Sequence, residues 1–375
     1  MSTNNRAVGK IIASQWPWIQ SQFTGYQQRM FKALKNCRTE AMGGTQYACT
    51  TCGEEHLRYK SCRNRHCPNC QNTQREEWIQ ARTEQLIETV YHHVVFTLPE
   101  ELNTLCLRHQ RQMYAILFRT AWQTLDSFGW NHKYLGAQTG ATMALHTWGS
   151  NLCYHPHVHC IIPGGGITLY NKWKDAKGGI NFLFPVKAMN KVFKGKFLHE
   201  MQKSGVKISS QLNTQLRRKS WVVFSKPSFS KTENLVKYLA GYTYKTAITN
   251  RRIISYDSDK VTFEYKDYRQ GGKRKPMTLT TKEFLRRLSM HFLPSGFTRI
   301  RHYGILSSSW KQKVFPQAKK KEKCDWKELW KEKGFNPDLC PSCNGQLVAV
   351  RSIYPQRGPP PFHSSTKSKF MSTKK

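Results

Sequence analysis

Three histidines in the middle of the chain have the spacing of a metal site. His157 and His159 flank Val158 in a short β-prone run, and His146 lies in an earlier run of the same kind. Side chains alternate between the two faces of a strand, so His157 and His159 share a face, with Cα atoms about 6.6 Å apart. If the runs pair as a hairpin, His146 falls opposite them, and the three are predicted to bind one divalent cation. His155 is about 13 Å from His159 along the strand and is expected to lie outside that site.

A pair of tyrosines ~80 residues downstream offers a nucleophile. A capping-box spacing at Ser230 and Glu233 predicts a helix that places Tyr238 and Tyr242 on one face. Alone, such a pair is more typical of a core stripe, but basic residues that could contact a phosphate surround it: Lys237, Lys245, Arg251 and Arg252. A phenol, with an ordinary pKa of about 10, can attack a phosphodiester if a divalent ion polarises the phosphate. Imidazole ligands suit Mn²⁺, and Mg²⁺ is the ion expected in the cell.

The cysteines predict a second kind of metal site. Two Cys-x-x-Cys pairs, Cys49 with Cys52 and Cys67 with Cys70, are separated by 14 residues. Such pairs are typical of a structural Zn²⁺ held by four thiolates. We expect these four cysteines to be the ligands, although Cys62 or His66 could replace one of them.

A third Cys-x-x-Cys pair, or knuckle, is Cys340-Pro341-Ser342-Cys343. No second pair lies near it in the sequence to complete a four-thiolate site. One possibility is that it combines with Cys37 and Cys62, which would give two zinc sites.

Composition narrows the class of partner. Sixty Lys and Arg against 23 Asp and Glu give a net charge of +37, spread along the chain. That excess favours a polyanion, with nucleic acid first, and the 12% aromatic content suits stacking on single-stranded bases. We find no run of 18 apolar residues and no signal-peptide pattern, so we expect no membrane association and a cytoplasmic location.

The coarse order of elements predicts an α+β protein. Helices are expected at 10–36 (with a break at Trp16-Pro17), 73–90, 100–128, 186–204 and 281–292, and strands at 92–98, 141–148, 156–162 and 221–225. His92 and His93 are expected to be core or solvent-facing residues. After Arg252 we expect a hairpin, followed by the basic linker GGKRKP, and a disordered tail from Gln356.

Together these motifs resemble the bacterial rolling-circle insertion-sequence transposases of the two-tyrosine, His-hydrophobe-His class. The motifs are SCRNRHCPNC, LHTWGSNLCYHPHVHCIIPGGG, YLAGYTYKTAITNRRI, FLRRLSMHFLPSGFTRIRHYGIL and CPSC, in that order over roughly residues 30–345. The resemblance implies a central antiparallel sheet with helices on one face. It also implies catalysis by Tyr238 and Tyr242, with Tyr242 expected to attack first, and metal binding by His157 and His159.

The same resemblance implies how the chain is divided and what it acts on. We expect a helix plus zinc-binding domain at 1–80, the strand-transferase domain at 81–270, a basic DNA-binding region with the CPSC knuckle at 271–350, and a tail at 351–375. Arg299 and Arg301 join the expected DNA contacts. The implied partners are single-stranded and hairpin DNA at element ends, target DNA and host replication proteins, at the bacterial nucleoid. The alternatives are a plasmid replication initiator or relaxase, and a non-catalytic zinc protein that binds nucleic acid.

Overall fold

A computed structural model describes residues 5–71, 75–77, 79, 87, 89–179, 183–226, 241, 244–310 and 326–355. The chain divides into two compact units. The large unit comprises Met1–Lys35 and Arg63–Pro337, and the small unit comprises Asn36–Cys62 and Asp338–Lys375. No helix in the described ranges is long and apolar enough to span a bilayer.

The helices and strands are numbered here along the chain. The α-helices are α1 Ala7–Ser14, α2 Trp16–Gln22, α3 Gly25–Asn36, α4 Asn103–Arg108, α5 Gln110–Trp130, α6 Val186–Lys203, α7 Ser210–Arg218, α8 Thr281–Met290 and α9 Trp326–Glu332. The strands are β1 Gly44–Cys49, β2 Glu55–Tyr59, β3 Tyr91–Thr97, β4 Gly140–Trp148, β5 Tyr154–Pro163, β6 Gly165–Ile167, β7 Trp173–Asp175, β8 Val222–Lys226, β9 Ile253–Tyr256, β10 Lys260–Asp267, β11 Lys273–Thr280, β12 Ile300–Gly304 and β13 Leu347–Ile353.

A five-stranded antiparallel sheet, in the order β12-β4-β5-β3-β8, forms the centre of the large unit. Residues directly opposite each other on neighbouring strands share a face of this sheet, so the sheet has one apolar face and one face that carries the histidines. One cross-strand row joins Leu145, Val158, Phe96 and Val223, all buried in an apolar core with residues of α5 and α6. The predicted α+β class, with helices packed on one face of an antiparallel sheet, is confirmed.

Most predicted elements occur with shifted ends. The predicted helix at 10–36 is three helices, α1 to α3, with the first break just before Trp16-Pro17 and a second at Phe23 and Thr24. The helix expected at 100–128 is interrupted at His109 between α4 and α5. Most of 73–90 and the tail from Gln356 lie outside the described residues.

The GGKRKP segment is not a linker, and that prediction is wrong. From Lys273 it forms β11, which pairs residue by residue with β10 in a three-stranded sheet ordered β11-β10-β9. Helix α8 follows directly. Thr280 and Glu283 have the spacing of a capping box, which predicts a helix start at this point, and the Thr280 hydroxyl accepts a hydrogen bond from the Glu283 N–H.

Helix α8 also fixes the turn between β4 and β5. The buried His291, just beyond the helix, lies 3.2 Å through Nε2 from the Leu152 carbonyl oxygen, to which it donates. Arg287, paired with Glu283 at 2.8 Å, donates to the Asn151 carbonyl. The hairpin that carries the three predicted metal ligands is therefore held at its turn by a helix far along the chain.

The small unit contains a three-stranded sheet ordered β13-β1-β2. Its described apolar cluster consists of Cys49, Cys340 and Leu347, with Tyr47 packed against it. The CPSC knuckle lies in this unit, since β13 pairs with β1, whereas the sequence suggested a separate C-terminal region at 271–350. The predicted boundaries at residues 80 and 350 do not coincide with this division.

Candidate functional site

The three predicted histidine ligands meet on the sheet face opposite the apolar core. His146 of β4 is the cross-strand partner of His157 on β5, and His159 lies two residues further on, opposite Ala144. One nitrogen from each ring can be chosen so that all three atoms lie within 4.8 Å of one another. The arrangement that the alternation of the strands predicted is therefore the one the structure has.

The spacing of these nitrogens fits a shared cation. His157 Nε2 and His159 Nε2 are 3.1 Å apart. Two ligands at right angles on an ion with metal–nitrogen bonds of 2.0–2.1 Å would lie about 3 Å apart. The donor set is neutral imidazole, which transition-metal ions accept readily. The residues present therefore fit a transition-metal ion such as the predicted Mn²⁺ better than Mg²⁺, which prefers oxygen ligands.

Two of the three rings are oriented by contacts within their own hairpin. His157 Nδ1 lies 2.6 Å from the His155 carbonyl oxygen, and since a carbonyl only accepts, this nitrogen carries the proton. Nε2 of a neutral His157 is then left with its lone pair toward the site. His146 stacks on Trp148, with ring centroids 4.6 Å apart and planes 16° apart.

Burial keeps the rings of His157 and His159 neutral. It lowers the pKa of His157 to about 3, with further lowering from the neighbouring His155, and it lowers the pKa of His159 well below its ordinary value. An uncharged ring near neutral pH is the form that can ligate a metal ion.

His93 is a residue of this site that the sequence analysis placed elsewhere. It lies on β3, next to β5, and its Nε2 is 2.8 Å from His159 Nδ1. The sequence held one signal for it: in a strand that begins at Tyr91, His92 and His93 must face opposite sides, and one of them must share the face of the metal ligands.

The predicted nucleophiles cannot be placed in this geometry. Tyr238, Tyr242 and the adjacent Lys237 lie outside the described residues, as does the start of the helix predicted at Ser230. Their part in the site rests on the sequence.

The predicted DNA-binding residues fall into two groups. Lys245 and Arg251 are exposed, as a phosphate contact requires. Arg299 is 9% exposed, and its guanidinium donates to the Leu145 and Lys245 carbonyls. Its contacts support the backbone, and the expectation that it reaches DNA is corrected here.

Arg252 and Arg301 also make structural contacts. Arg252 donates to the carbonyls of Glu264 and Ala247, and its guanidinium lies over the Phe263 ring. Arg301 lies 4.4 Å from the centroid of Phe118, a residue of the apolar core, so it is oriented toward the core. The carbonyls of Glu264 and Ala247 occupy N–H groups of Arg252 that a phosphate would need.

The thiolates of the small unit combine differently from the sequence prediction. Cys49 and Cys52 are grouped with Cys340 and Cys343, and the four sulfurs lie within 4.8 Å of one another. The predicted set with Cys67 and Cys70 is therefore corrected. So is the suggestion that the CPSC knuckle combines with Cys37 and Cys62. The physical reason is the pairing of β1 with β13, in which Cys49 faces Leu347 and brings the two knuckles together.

The sulfur geometry suits tetrahedral Zn²⁺. Cys49 Sγ is 3.4 Å from Cys343 Sγ, and Cys52 Sγ is 3.9 Å from Cys340 Sγ. A tetrahedron with Zn–S bonds of 2.3 Å has sulfurs about 3.8 Å apart. Burial raises the pKa of the Cys340 thiol, but the backbone N–H groups of Ser342 and Cys343 outweigh that and lower it to about 6. A thiol with that pKa is largely thiolate at neutral pH. In the same cluster the Gly345 N–H lowers the pKa of Cys343, but the neighbouring Cys52 and Cys49 sulfurs outweigh it and raise that pKa to about 12, so full ionisation of the four thiols needs a cation.

A glycine permits the close approach of the two knuckles. A Cβ on Gly345 would lie 2.9 Å from Cys49 Sγ and would clash with the Thr51 side chain. The N–H of Gly345 is 3.4 Å from Cys343 Sγ, and that of Thr51 is 3.4 Å from Cys49 Sγ. In each knuckle, the backbone N–H two residues after a cysteine therefore points at the sulfur of that cysteine.

None of the other predicted zinc residues belongs to this group of Cys49, Cys52, Cys340 and Cys343. Cys67 and Cys70 lie in the large unit, both buried and joined by a hydrogen bond from the Cys70 N–H to the Cys67 carbonyl. Cys62 lies in the small unit, outside its four-cysteine group. His66 accepts a hydrogen bond from the Leu293 N–H at 3.3 Å through Nε2, so that nitrogen is engaged as a backbone contact.

Two family profiles match the chain. One, described as "Transposase zinc-binding domain", matches residues 11–98, and the other, described as "Putative transposase", matches residues 140–313. The three histidines lie within the second match, and Cys49 and Cys52 lie within the first.

Individual proteins are similar over most of their length. "Putative transposase y4qJ" of Sinorhizobium fredii (strain NBRC 101917 / NGR234) is 36% identical over 368 residues, covering 89% of this chain and 91% of that protein. "Transposase for insertion sequence element IS801" of Pseudomonas savastanoi pv. phaseolicola is 27% identical over 290 residues, covering 72% and 68%. The conjugative relaxase TrwC in complex with mutant oriT DNA is 13% identical with a TM-score of 0.25 over 42% of this chain and 68% of that one. A structural likeness at that level supports no inference.

Proposed function

The chain belongs to the family of insertion-sequence transposases, and we propose that it nicks and rejoins single-stranded DNA at the ends of a mobile element. The proposal is carried by the three histidines that converge on one face of the central sheet. The relatives' names favour transposition over plasmid replication or conjugation, which would use the same chemistry. If the protein were a non-catalytic zinc protein, the separate all-histidine site on the sheet would have no function.

We assign the nucleophilic step to Tyr242, with Tyr238 as the second nucleophile. The Tyr242 phenol oxygen forms a bond to phosphorus, the bond from phosphorus to the 3′ oxygen breaks, and the phenolic proton ends on that oxygen. The products are a 5′-phosphotyrosine and a free 3′-hydroxyl, which can later attack the phosphotyrosine and rejoin a strand. A divalent cation, Mg²⁺ or Mn²⁺, bound by the three histidines would polarise the scissile phosphate and offset its developing charge.

The surroundings of the histidines suit a single strand of DNA. Phe224 shares a cross-strand row with His159 and Val95, and 51% of its surface is exposed. An exposed aromatic ring beside a phosphate site can stack on an unpaired base. The net charge of +37 supplies the attraction for the backbone, to which Lys245 and Arg251 would contribute directly. We therefore expect the protein to act on DNA at the bacterial nucleoid.

We also propose that Cys49, Cys52, Cys340 and Cys343 hold a structural zinc ion. Their sulfur spacing fits a tetrahedron, and all four positions are filled by protein, which leaves no open position for catalysis. In this assignment the cysteine cluster stabilises the small unit, and the chemistry belongs to the histidines.

Incubation with single-stranded DNA of the element ends and Mn²⁺ tests the catalytic proposal. We expect a protein–DNA adduct that survives denaturing electrophoresis. It should disappear with EDTA, in His157→Ala, and in the Tyr238→Phe/Tyr242→Phe double variant.

A control variant separates the proposed nucleophiles from other tyrosines. Tyr170, exposed between β6 and β7, gives Tyr170→Phe, which should form the adduct as the wild type does. An undiminished adduct in the double variant, or none with the wild-type protein, would refute the assignment.

A further inference from the structure

The hydrogen bond between His93 and His159 suggests a role for a residue that is not itself one of the metal ligands. The two rings lie almost in one plane, 11° apart, with centroids 5.1 Å apart and Nε2 of His93 2.8 Å from Nδ1 of His159. An imidazole lone pair and its N–H both lie in the ring plane, so this edge-to-edge arrangement is that of a well-aligned hydrogen bond.

The proton in this hydrogen bond can lie on either ring, with opposite consequences. If His93 donates, the proton of a neutral His159 lies on Nε2, the nitrogen 3.1 Å from His157 Nε2, and His159 then has no lone pair to offer there. If His159 donates from Nδ1, its Nε2 carries a lone pair directed at the same point as His157 Nε2. Only the second arrangement lets His157 and His159 ligate one ion through these two nitrogens.

The three ligands differ in what fixes them. The His155 carbonyl selects the tautomer of His157, and stacking on Trp148 orients His146. For His159 the group that occupies its second nitrogen is His93, from the neighbouring strand.

We propose that His93 is a positioning residue of the metal site, accepting the Nδ1 proton of His159 and so directing the Nε2 lone pair of His159 at the cation. The inference rests on the proposed cation site and deepens it. His93 itself then carries its proton on Nδ1. Partners of this kind on a metal-ligating histidine contribute about 10- to 100-fold in metal affinity.

The strand supplies a matched control. His92, the preceding residue of β3, is 1% exposed and faces the other side of the sheet. His92→Phe and His93→Phe therefore make the same chemical change at adjacent buried positions of one strand, and only the second removes an acceptor from His159.

The test is direct binding of Mn²⁺ alone, measured from the free-ion signal by electron paramagnetic resonance. We expect His93→Phe to bind about 10- to 100-fold more weakly than the wild type, and His92→Phe to bind as the wild type does. His93→Gln should restore affinity to within a few-fold, because its amide oxygen can reach the position of the imidazole Nε2. Asparagine is one methylene shorter, so His93→Asn should stay weak, and it serves as the acceptor-deficient variant if His93→Phe does not fold by circular dichroism.

The possible outcomes distinguish a failure of the positioning role of His93 from a failure of the proposed cation site. If the wild type binds no Mn²⁺, or if His157→Ala binds as much Mn²⁺ as the wild type, the proposed cation site is wrong. If the wild type binds Mn²⁺ and His93→Phe or His93→Asn binds it equally well, the positioning role is wrong and the site stands. Equal weakening by Gln and Asn would also overturn it, since that pattern indicates a packing effect without hydrogen-bond selectivity.

Discussion

Loss of one exposed thiolate should strongly destabilise the small unit. Cys343→Ser is the perturbation of choice, because Cys343 is exposed and its replacement removes a sulfur ligand with little effect on packing. The apolar cluster in the described part of this unit comprises Cys49, Cys340 and Leu347. Burial of a leucine contributes about 1.5–3 kcal/mol, whereas a structural zinc contributes about 10–16 kcal/mol in zinc-finger peptides at pH 7. The ion is therefore expected to be the main source of this unit's stability.

The expected magnitude follows from these two contributions. If the serine costs the site a third of the zinc binding free energy, the small unit loses about 4 kcal/mol, more than Leu347 supplies. A loss of 4 kcal/mol corresponds to a factor of roughly a thousand in the opening equilibrium. Amide hydrogen exchange in β1 and β13 should accelerate by that factor, since their hydrogen bonds to each other hold the unit's sheet.

Two assays read this prediction together. Hydrogen exchange followed by mass spectrometry reports β1, β2 and β13 separately from the large unit, and chelator-released zinc reports the metal content. Cys153→Ser, an exposed cysteine of the large unit, is the matched control and should leave both readings unchanged. If Cys343→Ser keeps its full zinc content and the exchange of β13 changes less than tenfold, the reasoning about this cluster is refuted.

Two further predictions concern the large unit. Burial lowers the pKa of His291 from 6.5 to about 4. Below pH 6.5 the unfolded chain therefore binds a proton at this residue, whereas the folded chain binds it only near pH 4. Stability from this residue is therefore complete above pH 6.5 and is lost as the pH falls toward 4, by up to about 3 kcal/mol. Urea unfolding of the wild type between pH 7 and 4 should show a steeper loss than His291→Gln, and identical pH profiles would contradict the assignment. At the start of α8, Thr280→Ala should reduce the free energy of unfolding by about 1 kcal/mol, while Thr280→Ser, which keeps the hydroxyl acceptor, should retain most of it; equal losses in both variants would exclude the cap.

The sequence was most informative where the physics is local. Alternation along a strand placed His157 and His159 on one face, and the short connection between the two runs predicted the hairpin that set His146 opposite them. The capping-box spacing predicted the start of α8. Each of these features depends on residues close together in the chain, where backbone geometry leaves few alternatives.

The prediction was wrong or incomplete where distant segments meet. Nothing in the local pattern around Cys49 and Cys52 distinguishes Cys67 and Cys70 from a knuckle that lies almost 300 residues further along. Two Cys-x-x-Cys pairs are chemically equivalent, and the pairing of β1 with β13 decides which of them approach. The buried Arg299 was assigned to DNA for a similar reason, because a positive charge in a sequence does not reveal the carbonyl groups that surround it.

The sequence by itself determined which histidines share a face and the strand that carries them. Histidines at a spacing of two on a β-strand must share a face, and that is fixed by covalent geometry. The tertiary structure alone decided what surrounds those histidines: β3 lies beside β5 and brings Nε2 of His93 within 2.8 Å of His159. Strand order in a sheet depends on how the whole apolar core packs, and no spacing within a single strand encodes which strand will be its neighbour.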